Sequence, residues 1–505
     1  MPADLSPAET SSAAAGGGLA RLGFGGQPQG LSTLFFTEVW ERFSYYGMRA
    51  LLALFIVAPV AEGGLGRDTA EAARIYGNYT MAVYMLSIPG GFLADRYIGA
   101  RVAVLIGGSV IALGHFTLAI PAESAIYAGL TLVALGTGLF KPNISAMVGA
   151  LYTRDDERRD AGFSIFYMGV NLGALFAPLV TGFLAQSPVF KSWLTAHGFD
   201  PAQSWHWGFG TAGVGMTLGL IVFLRRSRSF AAARPPTVQG PAMWHTAALV
   251  VIGTAVIMAL TVLSDEPRFQ WLRGLFLVGP IAVIVWFAFA SSADARRIAA
   301  VLVFFIASMV FWAIFEQAGI TIALFGQQLT RTEVFGWPFP SAWYLALNSL
   351  FVVLLAPVFA LAWQRLGPGQ PSSPMKFVLG LFFLGLSYVL MVPAALLTGE
   401  GKVSPLWLVG LFFVQTVGEL FLSPVGLSTM TRLAPANLIG LTLGVWFLAA
   451  AWGNKLAGIL GSGYTADDPH GLASFFLQQA AAVGVATLIL LALVPWLKRL
   501  MGGVR

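Results

Sequence analysis

Charged side chains lie inside one apolar segment near the start of the chain. The segment is flanked by the apolar stretches 31–36 and 50–58 and is long enough to span a bilayer. On a helix, its ionisable residues and one tyrosine fall within an arc of roughly 100°. They are Glu38, Glu41, Arg42, Tyr45 and Arg49. A charge at the centre of a bilayer costs about 3 kcal/mol or more, so this stripe must face other helices or a water-filled cavity. Such charges indicate a functional site, and a structural ion-pair cluster is the alternative.

The composition indicates that this segment belongs to a polytopic membrane protein. Of 505 residues, 57% are hydrophobic and only 10% are charged, and many apolar runs reach about 20 residues. The absence of cysteine excludes disulfides and thiolate metal sites, and five scattered histidines argue against a histidine metal centre. The net charge of +6 is not a nucleic-acid signal, because the basic residues collect in loops between apolar runs.

The lengths of the apolar runs and the polar loops between them predict fourteen spans and therefore an all-α membrane protein. The predicted limits are 31–58, 72–95, 100–121, 124–151, 158–186, 204–226, 241–263, 270–291, 296–327, 341–366, 373–397, 404–432, 438–461 and 471–500. Lysines and arginines accumulate on one side loop after loop, so both termini are predicted to be cytoplasmic. Four regions follow: a disordered cytoplasmic tail at 1–30, a six-helix bundle at 31–226, a linker with an extra transmembrane hairpin at 227–295, and a second six-helix bundle at 296–505.

The two predicted bundles carry intramembrane charge at corresponding spans. In each bundle the first span is charged, with Glu316 on that of the second bundle. Each fourth span has a charge followed by a proline: Lys141 before Pro142 in the first bundle, and Glu419 before Pro424 in the second. Matching interrupted helices in two halves of a transporter point to its midplane site.

Several motifs resemble those of a known transporter family. The stretch 90–101 resembles the cytoplasmic loop signature of the major facilitator superfamily. The stretch from Glu38 to Gly47 resembles the first-helix signature of the proton-dependent oligopeptide transporter (POT/PTR) family. Four further stretches, 138–143, 166–173, 311–317 and 418–424, resemble that family's motifs in the same order. The resemblance implies the superfamily fold, two six-helix bundles with the extra hairpin of the bacterial branch, and a protein that is not an enzyme.

The resemblance also implies a site for a zwitterionic di- or tripeptide. Arg49 and Lys141 match the positions that bind the peptide carboxylate, and Glu419 matches the position that binds its ammonium group. The remaining residues implied to bind peptide are Tyr46, Tyr84, Asn171, Trp312, Asn348, Ser423 and Trp446. Two gates are implied: Arg49 with Glu316 on the extracellular side, and Lys141 with Glu419 on the cytoplasmic side.

The implied activity is proton-coupled import of di- and tripeptides across the bacterial inner membrane by alternating access. Coupling is assigned to Glu38, Glu41, Arg42, Lys141 and Glu316. A peptide carboxylate that engages Lys141 removes the counter-charge of an acid, which then takes a proton. The proton is the coupling ion, and no cofactor or metal is expected. The expected partners are peptides and the lipid bilayer, with no nucleic acid, and the chain is expected to be a monomer.

Two residues outside these motifs receive structural interpretations, and rival functions stay open. Lys455 is interpreted as a packing or snorkelling lysine, and His115 as a buried histidine with satisfied hydrogen bonds. The alternatives are a proton-coupled transporter of nitrate or another anion, a drug or metabolite transporter of the same superfamily, a membrane-embedded enzyme, and a receptor without transport. The acid at position 419 favours peptides over anions, and the sequence contains no constellation typical of an enzyme site.

Overall fold

The computed structural model describes residues 26–153, 156–226, 241–272, 295–433 and 439–501. Up to residue 272, these ranges contain eight α-helices. They are α1 (Gln29–Val57), α2 (Thr69–Leu93), α3 (Ala100–Leu118), α4 (Glu123–Gly149), α5 (Arg159–Gln186), α6 (Pro188–Ala196), α7 (Ser204–Arg226) and α8 (Pro241–Leu263). Residues 1–25 of the predicted tail, and residues 273–294 with most of the second hairpin span, lie outside the described residues.

The described part of the second half has seven further α-helices and a small β-hairpin. The helices are α9 (Ala295–Phe315), α10 (Thr321–Gln328), α11 (Ala346–Leu366), α12 (Ser373–Leu397), α13 (Leu406–Leu433), α14 (Ile439–Gly461) and α15 (Pro469–Leu500). The antiparallel strands β1 (Glu333–Val334) and β2 (Trp337–Pro338) lie between α10 and α11. Their tight turn places Phe335 at φ 52° and Gly336 at φ 78°.

The helices have the length and apolarity of membrane spans. Within the described ranges, nine helical segments carry apolar stretches long enough to cross a bilayer, so the chain is a multi-pass membrane protein. Helix α1 is not among the nine because its charged residues interrupt the apolar run. It is nevertheless buried along most of its length, including Glu38, Glu41 and Arg42. The prediction that this charged face avoids lipid is confirmed.

In the first half, α1 packs against α5 and α7, while α3 packs against α4 and α2 packs against α4. Glycine permits the closest of these approaches. A Cβ on Gly90 of α2 would lie 2.1 Å from the carbonyl oxygen of Gly138 on α4. Gly90 begins the loop motif at 90–101, and Gly99 in the same motif turns the chain into α3 with φ 77°. The motif therefore provides a close helix contact and a turn.

In the second half, α12 packs against α13 and α15, and α9 packs against α14 and α15. The span predicted at 296–327 is interrupted. Helix α9 ends at Phe315, a 3₁₀ turn follows at Glu316–Gly319, and α10 begins after Ile320, whose φ and ψ are −121° and −88°. Glu316 is the first residue of this interruption.

The two halves meet along helix pairs α2–α14 and α5–α11. The α2–α14 seam is tight at Gly77 and Gly458, where a Cβ on Gly77 would lie 2.8 Å from the Cα of Gly458. Beside the other pair, the Nε1 of Trp343 donates to the carbonyl oxygen of Leu179 at 3.0 Å. Trp343 lies at the end of the bundle that also carries the α1–α2 connection 58–68, which we call the 58–68 end.

The structure supports packing rather than snorkelling for Lys455, and it contradicts the expected hydrogen bonds of His115. Lys455 does not snorkel: its side chain is 4% exposed and forms an ion pair with Asp265 at 2.7 Å. Asp265 lies between the two predicted hairpin spans, 241–263 and 270–291, and only the fold brings it to α14. His115 is fully buried as expected, but neither ring nitrogen has a hydrogen-bond partner among the described residues.

Candidate functional site

The acids of α1 form a buried cluster around one arginine. The Nε of Arg42 lies 2.9 Å from a carboxylate oxygen of Glu38 and 2.5 Å from one of Glu41. These contacts have ion-pair distances but lack hydrogen-bond alignment, and both oxygens of Glu41 are left without a hydrogen-bond donor. Glu41 is fully buried. A buried carboxylate whose oxygens have no donor is costly to keep charged, so this group is suited to accept a proton.

Lys141 approaches this cluster from α4. It follows Gly136 and Gly138, whose lack of side chains brings α4 close to its neighbours, and it precedes Pro142 inside the helix. Its ammonium group lies 3.9 Å from the ring centroid of Tyr84; Arg42 of the α1 cluster repels it, and both acids of that cluster attract it. Lys141 is therefore held by an aromatic face rather than by a direct ion pair, which leaves the ammonium able to change partners.

A second charged group joins the two halves near the 58–68 end. The guanidinium of Arg49 on α1 forms an ion pair with Glu316 at the interruption after α9, and its Nε donates to the hydroxyl of Tyr76 on α2. A Cβ on Gly319 would lie 1.8 Å from that hydroxyl, so glycine is needed there. We call Arg49, Tyr76 and Glu316 the first latch. The predicted pairing of Arg49 with Glu316 is present in the structure.

A cavity of about 130 Å³ lies beside the first latch. Aromatic rings, one cation, two acids and an amide form much of its wall. These residues are Tyr46, Arg49, Tyr76, Tyr84, Trp312, Glu316, Asn348 and Glu419. On the far wall, the amide of Asn348 on α11 donates to Glu419 on α13 at 2.9 Å and to Thr416 at 3.1 Å. The volume is below the roughly 300–1,000 Å³ of typical ligand sites, so this conformation accepts only a small substrate.

Four residues predicted to bind peptide do not line this cavity: Lys141, Asn171, Ser423 and Trp446. The amide of Asn171 donates to the carbonyl oxygen of Tyr167 in its own helix at 3.0 Å. Trp446 is 6% exposed and packs against Gly426 and Phe377. Both side chains are therefore occupied by helix packing in this conformation, and their roles in binding stay predictions.

The gates differ in state. Although Arg49 and Glu316 are paired, no ion pair joins Lys141 to Glu419, both of which the structure describes. The residues of one predicted gate are thus paired, and those of the other are apart.

The sequence prediction missed Tyr76. This tyrosine lines the cavity and orients Arg49, with its ring centroid 5.3 Å from the guanidinium carbon. Its only signal in the sequence is an aromatic residue within an apolar helix, which is also typical of membrane belts and cores.

Comparisons with known proteins agree over nearly the whole chain. The model of the POT family matches residues 101–469. Peptide transporter YePEPT of Yersinia enterocolitica subsp. palearctica is 39% identical over 511 residues, which cover 95% of this chain and 96% of that protein. A di-/tripeptide transporter of Lactococcus lactis subsp. cremoris is 38% identical over 508 residues, with 95% and 98% covered. The crystal structure of a mutant peptide transporter POT with alafosfalin has a TM-score of 0.85 at 42% identity and covers 96% of this chain and 98% of that one.

Proposed function

The chain belongs to the POT family and is a transporter rather than an enzyme, and from this premise we propose that it is a proton-coupled symporter importing di- and tripeptides by alternating access. Peptide transport is the activity named for its relatives from Yersinia and Lactococcus. The proposal assigns the same substrate class to this chain and the proton as its coupling ion.

The observation that carries the proposal is a cavity with opposite charges on its walls. Arg49 presents a guanidinium, and Glu419 presents a carboxylate supported by Asn348. A short peptide is a zwitterion, so its carboxylate requires a cation and its ammonium group requires an anion. The amide of Asn348 can both donate and accept hydrogen bonds, which suits a peptide group. The aromatic walls tolerate varied side chains, because apolar surfaces discriminate weakly between them.

The proposed coupling uses the α1 cluster. In the absence of peptide, Arg42 and Lys141 together offset the charges of Glu38 and Glu41. When a peptide carboxylate recruits Lys141, the positive charge near these acids decreases, and a proton on Glu41 restores neutrality at a fully buried position. Peptide and proton then favour each other's binding, which is a thermodynamic coupling.

In the proposed transport cycle, the outer and cytoplasmic gates close in turn. We assign the 58–68 end to the outside of the cell and both termini to the cytoplasm, because basic residues collect in the loops on the side of the termini. The paired first latch then corresponds to a state closed to the outside, while Lys141 and Glu419 stand apart on the cytoplasmic side. Protonation of Glu316 weakens its attraction to Arg49 and opens the outer gate. We propose that the chain acts in the bacterial inner membrane as a monomer.

The test is uptake of radiolabelled dialanine into proteoliposomes with and without an inward proton gradient. We expect accumulation with the gradient, its loss when a protonophore is added, and loss of gradient-driven uptake in Lys141→Ala with counterflow retained. Nitrate offered in a parallel assay tests the anion alternative. Uptake of nitrate but not of dialanine, or dialanine uptake that ignores the gradient, would refute the proposal.

A further inference from the structure

A buried polar cluster lies at the α2–α14 seam, outside the cavity. Lys455 on α14 donates to the amide oxygen of Asn78 on α2 at 2.5 Å and to Asp265 at 2.7 Å. The amide nitrogen of Asn78 donates to the second carboxylate oxygen of Asp265, also at 2.7 Å. The side chains of Lys455 and Asp265 are 4% and 3% exposed. Three hydrogen bonds thus join three chain segments, and we call these residues the second cluster.

The extra hairpin supplies the acid of this cluster. Asp265 lies two residues after the end of α8, and α8 packs along α2. Further along the seam, Met258 of α8 packs against a small apolar group formed by Met81 and Met85 of α2 and Ala451 of α14. The described arm of the hairpin therefore contacts both halves of the transporter. A purely peripheral scaffold has no need of such contacts.

Helix α2 connects the second cluster to the first latch. Tyr76 and Asn78 are two positions apart, so they point in directions about 200° apart around the axis. Tyr76 receives the hydrogen bond from Arg49 on one side, and Asn78 receives the one from Lys455 on the other. Helix α2 is thus held from both sides in the same conformation.

The three contacts of the cluster differ in what their rupture costs. Separating Lys455 from Asp265 would leave two unpaired charges at buried positions, which is strongly unfavourable. Separating either from Asn78 leaves only a neutral amide to find another partner. When the halves move apart along the seam, the ion pair therefore stays whole, and the contacts with Asn78 break.

We propose that Asn78, Lys455 and Asp265 form a second latch, in which the hairpin remains attached to α14 by its ion pair and holds α2 in the outward-closed state. Opening of the transporter to the outside then requires release of Asn78 as well as of Arg49 from Glu316. The inference rests on alternating access as the proposed function. Its test needs no substrate, so a failure of peptide uptake is distinguishable from a failure of the latch.

The test measures the separation of the halves at their outer ends. The chain contains no cysteine, so cysteines introduced at the exposed positions Ala196 and Glu400 can be spin-labelled selectively in the full-length protein. Double electron–electron resonance in nanodiscs then reports the distance between the two halves. We expect one short distance to dominate in the otherwise unaltered protein, and Asn78→Leu to raise the long-distance fraction about tenfold or more, as expected for lost hydrogen bonds to charged groups.

A matched control is Thr80→Val on the same helix. The hydroxyl of Thr80 is buried, and within the described ranges it bonds only to the carbonyl oxygens of Tyr76 and Gly77 in α2 itself. We expect its distances to match those of the parent. The double variant Lys455→Met/Asp265→Leu removes both charges of this ion pair together, so neither is left facing the other's empty position. It should shift the distances as Asn78→Leu does, and combining all three changes should add nothing further. Unchanged distances in Asn78→Leu, or effects that add independently, would overturn the proposal.

Discussion

Buried charges in this protein form small clusters, one within a single helix and others between helices. Arg42 pairs within α1, Arg49 joins α1 to the turn after α9, and Lys455 joins α14 to the hairpin. Lys141 differs from these cations, because an aromatic ring holds its ammonium group. Lys141 is therefore the cation best able to leave the acids of the α1 cluster and bind the carboxylate of a substrate.

Tyr76→Phe tests the role of the residue that the sequence did not reveal. Loss of the hydroxyl removes the acceptor that orients Arg49, and a hydrogen bond to a charged group contributes about 1.5–3 kcal/mol. We expect the KM for dialanine in proteoliposome uptake to rise by about tenfold or more.

Tyr79→Phe provides the control for this change. Tyr79 is buried on the same helix, but its hydroxyl has no hydrogen-bond partner among the described residues. Its removal should leave the KM nearly unchanged. Equal effects of the two substitutions would show that Tyr76 acts only through packing.

The sequence predicted much of the site because intramembrane charges are rare and their neighbours in the chain are informative. Arg49, Glu316, Asn348 and Glu419 line one cavity as expected. Partners that are distant in the chain could not be predicted in this way. Lys455 and Asp265 are 190 positions apart, and no local sequence pattern indicates that they pair. Trp446 was predicted to line the cavity and does not, because the sequence of α14 does not show which of its faces meets the cavity.

Helix boundaries were predicted within a few residues wherever an apolar run has clear ends. The span predicted at 31–58 corresponds to Gln29–Val57, and that at 373–397 to Ser373–Leu397. The short helix α6 was missed because it is too short for a span, although Ser187 caps it and Pro188 begins it. The interruption at Glu316–Gly319 was also missed, because hydropathy reports the length of a span and not the continuity of its helix.

Close packing of α2 on α14 predicts a stability effect at the seam. In Gly458→Ala, the new Cβ would lie 2.6 Å from the carbonyl oxygen of Ala73, and overpacking of this kind costs about 1–3 kcal/mol. We expect a lower midpoint of thermal unfolding in detergent.

The matched substitution is Gly253→Ala on α8, where nothing lies within 4 Å of the added Cβ. Because alanine favours helix by about 1 kcal/mol over glycine, this variant should unfold at the same temperature or higher. A seam variant as stable as this control would mean that the two helices separate freely.

The molecule as a whole combines two bundles whose contacts at the 58–68 end are polar as well as apolar. The first latch, the second cluster and the bond from Trp343 to Leu179 all join elements of the two halves. Alternating access requires such contacts to be strong enough to hold one state and weak enough to be replaced in the next. An ion pair holds one state while it is intact, and it can be replaced when a proton or a zwitterionic peptide takes the place of one partner.

The most direct test of this account is proton entry driven by peptide alone. Proteoliposomes containing a pH-sensitive dye are given dialanine outside, with no imposed pH gradient and with the membrane potential clamped at zero. We expect internal acidification with the unaltered protein and none with Glu41→Gln, which retains peptide counterflow. Peptide entry without acidification in the unaltered protein, or unchanged acidification in Glu41→Gln, would contradict the coupling proposed for the α1 cluster.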